Sequence, residues 1–328
     1  MRRRTFLTLG TEGIKASKAM ACDICMYNKS TQKLLIVESS KFNTTEYPST
    51  NYSPVGVVVI PGSHNVYGDG SCGVMSLKEM NYSTPDTGST DYQGIYWGQI
   101  GVDISNITNY NQVCYVGSNG TVNQTVQGIS DTSFLPSDNF TTVQNPYDKD
   151  TYFCRNDSNK YMPSPYNEDD TRNAAYYQTS SPSSSKNALS YFDGMGNTTK
   201  LIKLATAQSN WKTASTITHN SDSGYSPAAC CCWRYHTEGT KQGDWYLPAM
   251  GELGYMMVKF NKINQTISTL TSAYGSSVGI RVHYDYTYLS SSELNSTDAR
   301  YVNTYNGNVS YDYKNNIGSY VRAFLRVK

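Results

Sequence analysis

Reaction chemistry would begin at histidine, cysteine and carboxylate side chains, and their spacing in this sequence supports none. His64, His219, His236 and His283 are scattered, with neither a His-Glu-x-x-His helix pattern nor any paired-His spacing for a metal. Cys22-x-x-Cys25 has no second pair at zinc-site spacing. It reads, with Cys72, Cys230, Cys231 and Cys232, as small buried thiols. Cys114 and Cys154 flank one polar stretch and could bond in an oxidising setting. Asp69, Glu79 and Asp86 fall at turn or strand ends, and Glu168-Asp169-Asp170 reads as a solvated loop rather than an acid pair. No Gly-x-Ser-x-Gly, phosphate-binding loop or dinucleotide fingerprint occurs. The expectation is a non-enzymatic protein with no catalytic residues, no metal and no cofactor.

A second kind of chemistry, recognition by contact, is well supplied. Between Tyr288 and Ser319, ahead of the closing run from Tyr320 to Val327, 21 of 32 residues are Asn, Ser, Asp, Thr or Tyr. Tyrosine offers rigid amphipathic area at low entropy cost, and Asn and Ser offer adaptable hydrogen bonds, which is how binding loops work. The candidate contacts are Asn295, Ser296, Asp298, Arg300, Asn303, Tyr305, Asn306, Asn308, Tyr311, Tyr313, Asn315 and Asn316. Tyr and Arg are the expected hot spots among them. Trp233 and Trp245 are expected in the core. Glu293 is expected to bond its own Ser-rich turn, and Arg322 to act as a structural bridge or as a rim contact.

Composition agrees with a contact role. The 328 residues carry a formal charge of +1, only 16% charged residues and 29 Tyr. No global field steers such a chain to nucleic acid or an anionic membrane. Uncharged polar groups carry solubility, a profile that suits β-rich virion, adhesin or extracellular proteins. The longest apolar run, Val55 to Pro61, is too short to span a bilayer. A basic start (Met1-Arg-Arg-Arg) is followed by an apolar part that stops at Thr11-Glu-Gly-Ile-Lys15, and Lys15 and Lys18 interrupt the stretch before Cys22. Neither a secretory nor a lipoprotein signal is expected from this pattern. The expected location is the cytoplasm that made the chain, or an assembled particle.

Elements that would hold the contact face follow from periodicity. Residues 5–18 are basic and weakly patterned, an arm that would order against a partner. Ala21 to Tyr27 and Lys33 to Glu38 read as a hairpin, too small to be stable alone. Tyr52 to Pro61, β-branched and continuous, reads as a central strand covered on both faces, hairpinned to Val74–Met80. Residues 81–190 lose periodicity, with Gly94–Gly98 and Ile100–Ile104 the best-ordered segments. Helices are expected from Thr198, as a cap, through Leu201, Leu204 and Ala205; over Ser226 to His236, with Pro227 in the first turn; and from Ala249 to Ile267, where Leu253, Met256, Met257 and Phe260 recur at helical spacing. Strands return from Val278. Ser290-Ser-Ser-Glu293 reads as a polar turn and Tyr320 to Val327, alternating, as a half-buried strand.

One constellation is more specific. Asp244-Trp-Tyr-Leu-Pro248 with Glu252-Leu253, then Ser290-Ser-Ser-Glu293, Tyr301-Val-Asn303, Gly307, Val309 and Tyr320-Val-Arg-Ala323, resembles C-type-lectin-fold domains of the Fibrobacter paralogous and Legionella collagen-like adhesin type. The resemblance covers about 50 to 328, with roughly 100 to 190 as an insertion; Leu289 departs from it where an aromatic is usual. It implies an α+β fold, a C-type-lectin-like domain over 46–328, and a variable binding face at 290–320. Residues 1–45 would be a small β mounting unit. The face is similar to variable regions diversified by adenine-directed retroelements, since an Asn codon altered at its adenines yields this palette. The calcium triplets of sugar-binding relatives, Glu-Pro-Asn, Gln-Pro-Asp and Trp-Asn-Asp, are absent. Formylglycine-generating enzymes of that fold use cysteines late in the chain, whereas the last one here is Cys232. The amino-terminal half resembles virion proteins of phages of gut Bacteroidales, the crAss-like group included. The implied role is a head or tail fibre or decoration subunit, located on the virion surface. It would dock on other virion proteins through its N-terminus and bind a host-surface protein or polysaccharide as a homo-oligomer. Neither nucleic-acid binding nor membrane insertion is implied. A bacterial surface adhesin or pilus tip, or a purely structural capsid or tail part, are the alternatives.

Overall fold

The computed structural model describes residues 10, 13–64, 67–98, 142–145, 148–155, 193–205, 226–304, 309–316 and 318–328. These form an α+β architecture of two main sheets with helices packed on them. The first sheet has six strands in the order β2-β1-β3-β4-β12-β7. They are β1 (Ile24–Asn28), β2 (Lys33–Val37), β3 (Tyr52–Ile60), β4 (Cys72–Ser76), β7 (Trp245–Tyr246) and β12 (Phe324–Val327). The second has four, β10-β9-β8-β11, namely β8 (Thr287–Glu293), β9 (Asp298–Asn303), β10 (Val309–Tyr313) and β11 (Ser319–Tyr320). Of the expected insertion, the described part is a hairpin, β5 (Thr142–Asn145) with β6 (Asp148–Arg155).

β3 is the expected central strand. Val57 and Val59 enter one core with Ile24, Met26 and Met75, while Val55 and Val58 enter another with Cys25, Ile36 and Val74. Alternation across Val57, Val58 and Val59 splits one β-branched run between two cores, and the register shift against β1 at Cys25/Met26 puts Val55 with Val58. The first core is closed by helices α3 (Met250–Val258) and α4 (Phe260–Tyr274). Here Leu253, Met256, Met257 and Phe260 are buried as their spacing predicts. The expected single helix is broken at Lys259, whose backbone leaves helical geometry (φ −118°, ψ 28°). The second core is closed by α2 (Pro227–Arg234), where Cys230, Cys231 and Cys232 are fully buried beside Trp245. Cys22, Cys25 and Cys72 are free and buried as well. The Cys114–Cys154 pairing lies outside the described residues.

Four expectations are corrected. Helix α1 (Gly194–Ala205) begins four residues before Thr198. Asp193 caps it, accepting from Gly196 N at 2.9 Å, while the Thr198 hydroxyl accepts from Leu247 N (2.9 Å) and donates to Leu247 O (3.2 Å). The described part of the basic arm lies on its own chain. Gly10 N donates to Leu34 O at 2.6 Å and Ile14 N to Ile36 O at 3.0 Å, so both line the outer edge of β2. Through β1–β3 pairing the hairpin expected as a separate mount is continuous with the main sheet. Finally, residues 319–327 are not one half-buried strand. They leave the second sheet after Tyr320 and enter the first at Phe324, and Val321, Arg322 and Ala323 between them are buried.

Candidate functional site

The second sheet carries the expected face, and its foundation is polar. Ser290, Ser291 and Ser292, read as a turn, are strand residues of β8 and fully buried. Their hydroxyls are engaged: Ser290 donates to Arg300 O (2.9 Å), Ser291 accepts from Asn197 Nδ2 (3.2 Å) and Ser292 from Met250 N (3.2 Å). Small hydroxyls that signal a turn when solvated here replace water for buried backbone groups.

Two buried ion pairs flank this strand. Glu293, expected to bond its own turn, pairs with Lys314, both fully buried, and the Lys314 ammonium lies 5.0 Å from the Trp97 ring centroid. Trp97 Nε1 donates to Ser290 O at 2.6 Å. Lys314 N donates to Thr297 O and Gly98 N to Lys314 O, so one residue ties β10, the β8–β9 turn and the 94–98 segment. Arg322 takes the bridge role. Its Nε donates to Glu79 Oε1 (2.8 Å), Nη1 to Ser76 O (3.0 Å) and Nη2 to Ile280 O (2.5 Å), and Tyr288 Oη donates to the same Glu79 oxygen (2.7 Å). Burial lowers the Arg322 pKa, but the Glu79 carboxylate more than offsets this, and the guanidinium stays charged.

Above this foundation the expected contact residues lie along the β9–β10 ribbon. Tyr311 and Tyr313, 51% and 61% exposed, alternate on the strand opposite Arg300 and Asp298. At the same end as Tyr313 come the 294–297 turn and exposed Asn315 and Asn316. Half-buried Asn303 marks the other end, about 17 Å away at the rise of a strand. The set therefore forms a stripe, not a single cluster. Tyr305, Asn306 and Asn308 lie outside the described residues.

Not every candidate is free to make contacts. Arg300 is corrected: it is 1% exposed although it pairs across the ribbon with exposed Tyr311, so it cannot serve as a surface hot spot. Asn295 Oδ1 accepts from Thr297 N (2.7 Å), Thr297 Oγ1 (2.8 Å) and Asp298 N (2.8 Å) and so shapes its turn. Asn316 accepts from Gly318 N (3.0 Å) and donates to Asp312 Oδ2 (2.5 Å). Asp298 accepts from the Thr297 hydroxyl (2.7 Å). Tyr311, Tyr313 and Asn315 remain as exposed groups, with Ser296 and Asn303 half-buried.

Sequence reasoning missed an aromatic group beside the Asn303 end. His283 is flanked edge-on by Tyr92 (4.4 Å) and Tyr286 (4.3 Å), and Tyr320 lies 4.6 Å from Tyr286. Tyr286 is 40% exposed. Thr304 fastens the group to the ribbon, its hydroxyl donating to His283 O at 2.7 Å. Burial holds the His283 imidazole below its ordinary pKa, with Asp285 opposing. The run Val282-His-Tyr-Asp-Tyr286 was the available signal, but its residues come together with Tyr92 only through the fold.

A buried carboxylate lies elsewhere, in the first core. Glu252 accepts from Tyr67 Oη, Tyr246 Oη and Ala249 N, each at 2.7 Å, and burial pushes it up to about 7. It starts α3 and locks β7 to the 67–70 segment, away from solvent. Among the described residues no group of three or more His, Cys, Asp or Glu side chains could hold a metal, and no helix is long and apolar enough to cross a membrane.

No family model matches the chain, and no curated protein does. Among solved structures it is similar to a fimbrial protein from Bacteroides ovatus ATCC 8483, with 15% identity and a TM-score of 0.44 over 93% of this chain and 48% of that one. The chain thus spans about half the length of that protein.

Proposed function

We propose that this chain is a non-enzymatic attachment protein of a virion surface, a fibre or decoration subunit with a C-type-lectin-like domain. In this reading its C-terminal ribbon binds a host-surface molecule, while its N-terminal strands face other virion proteins. The observation that carries the reading is the placement of exposed aromatic area. Of the four exposed large hydrophobic side chains among the described residues, three are tyrosines of one region: Tyr286, Tyr311 and Tyr313. Core-forming sequences have no use for such groups, and tyrosine is the side chain that dominates contact surfaces. The buried pairs beneath keep the ribbon in place whatever its outer side chains are. A face with little apolar anchoring gives weak single contacts, which repeated copies on a particle would convert to avidity.

The test uses labelled full-length protein on intact candidate host cells, beside a variant with Tyr305, Tyr311 and Tyr313 changed to Ala and shown folded by circular dichroism. Saturable binding that the variant loses is the expected result. A multivalent wild-type preparation that binds no cells would point to a purely structural part whose tyrosine face is covered by neighbours.

A further inference from the structure

A groove of about 700 Å³ runs between α4 and the 281–284 segment, within the size range of small-molecule sites. It is a different surface from the Tyr311–Tyr313 stripe, and it is built rather than incidental. Asn264 clamps the segment with both amide atoms, donating to Val282 O (3.0 Å) and accepting from Val282 N (2.7 Å). Tyr92 crosses its end and donates to Arg281 O at 2.7 Å. The shape is thus fixed before any ligand arrives, which lowers the entropy a ligand must lose.

Its lining combines two chemistries. Half-buried Tyr284, His283 and Tyr92 present the aromatic surface, over a buried floor at Phe260, whose ring lies 6.5 Å from that of Tyr284. On the rim, Asn261 and Gln265 are exposed one helical turn apart on α4, facing exposed Arg281 across the opening. Among the described residues no carboxylate lines the groove. Ring faces suit the C–H faces of a pyranose, and amides with a guanidinium suit its hydroxyls through paired donors and acceptors. A single cation and a chain charge of +1 do not favour a phosphate polymer. The polar rim does not favour a purely apolar ligand. We propose that this groove, lined by Tyr92, Phe260, Gln265, Arg281 and Tyr284, is a saccharide-binding site that takes one or two sugar units of a polysaccharide. Stacking supplies area, Asn261 and Gln265 read hydroxyls, and Arg281 adds a preference for a uronic acid.

The experiment is affinity electrophoresis of the full chain through gels containing mannan, β-glucan, xylan or polygalacturonate. At least one polymer should retard the wild type. Gln265→Ala, at an exposed helical position where Ala preserves the fold, and Tyr284→Ala should each weaken that retardation about tenfold, the equivalent of one or two lost hydrogen bonds or a lost ring contact. Arg281→Ala should act most strongly on polygalacturonate. The Tyr311→Ala, Tyr313→Ala double variant should migrate like wild type. Absence of retardation on all four polymers overturns the proposal. So does retardation that the groove variants keep and the double variant loses, because that result would assign sugar binding to the stripe.

Discussion

The two main sheets solve burial in opposite ways. In the six-stranded sheet β3 is apolar on both faces, and Val55, Val57, Val58 and Val59 divide between two cores. In the four-stranded sheet, β8 buries three serines and a glutamate, and its neighbours bury Arg300 and Lys314. Apolar packing is tolerant of detail, because any side chain of similar volume serves. Buried charges and hydroxyls are directional, and each must meet a partner. The first sheet is therefore a bulk scaffold. The second is fixed by a few buried polar bonds, while Tyr311, Tyr313 and Asn315 stay exposed in the same ribbon.

The comparison breaks most sharply at Arg322. Arg322→Leu strands Glu79 in the interior, and loss of one partner of a buried pair costs about 3–5 kcal/mol. Chemical denaturation should show a loss of that size; a loss below about 1 kcal/mol would mean that Glu79 finds other compensation. Lys314→Met should cost about 3 kcal/mol by the same mechanism at Glu293. In addition it should loosen the ribbon locally, read as faster amide exchange at position 314 and at Gly98, whose N–H groups donate to Thr297 O and to the position-314 carbonyl.

Next in size is a pH effect in the first sheet. The folded-state pKa of Glu252 is raised from 4.5 to about 7. The folded chain therefore holds this proton more tightly than the unfolded chain, and the linked stability is complete below about pH 4.5 and lost as pH rises through about 7. Over that window wild type should lose on the order of 3 kcal/mol that Glu252→Gln does not lose, measured as urea midpoints at pH 5 and pH 8. Parallel pH profiles for the two proteins would remove Glu252 from the account. Smallest is the outer face. Tyr311→Ala and Tyr313→Ala should each change stability by less than about 0.5 kcal/mol, as surface substitutions do.

Legibility in the sequence follows the same division. β3 and the two helices from Met250 to Tyr274 could be read because apolar periodicity records local geometry, and Leu253, Met256, Met257 and Phe260 are buried as spaced. The break at Lys259 has no Pro or Gly to announce it. Ser290–Ser292 were misread because hydroxyls satisfying buried backbone have the same residue types as a solvated turn. Arg322 and Glu79 meet across 243 positions, and Lys314 and Glu293 across two strands, so no local pattern records either pair. The stripe itself was legible as composition in Tyr311, Tyr313 and Asn315. Arg300 was not, because an arginine beside a contact face looks the same in the sequence whether it is exposed or covered.

The most direct test is a displayed library in which Ser296, Asn303, Tyr311, Tyr313 and Asn315 vary together, sorted separately for protease resistance and for binding to host cells. The account predicts that most members stay resistant while cell binding is lost in most of them and redirected in a few. If resistance and binding are instead lost together across the library, the varied residues hold the fold, and the division of labour between buried and exposed residues of the ribbon is wrong.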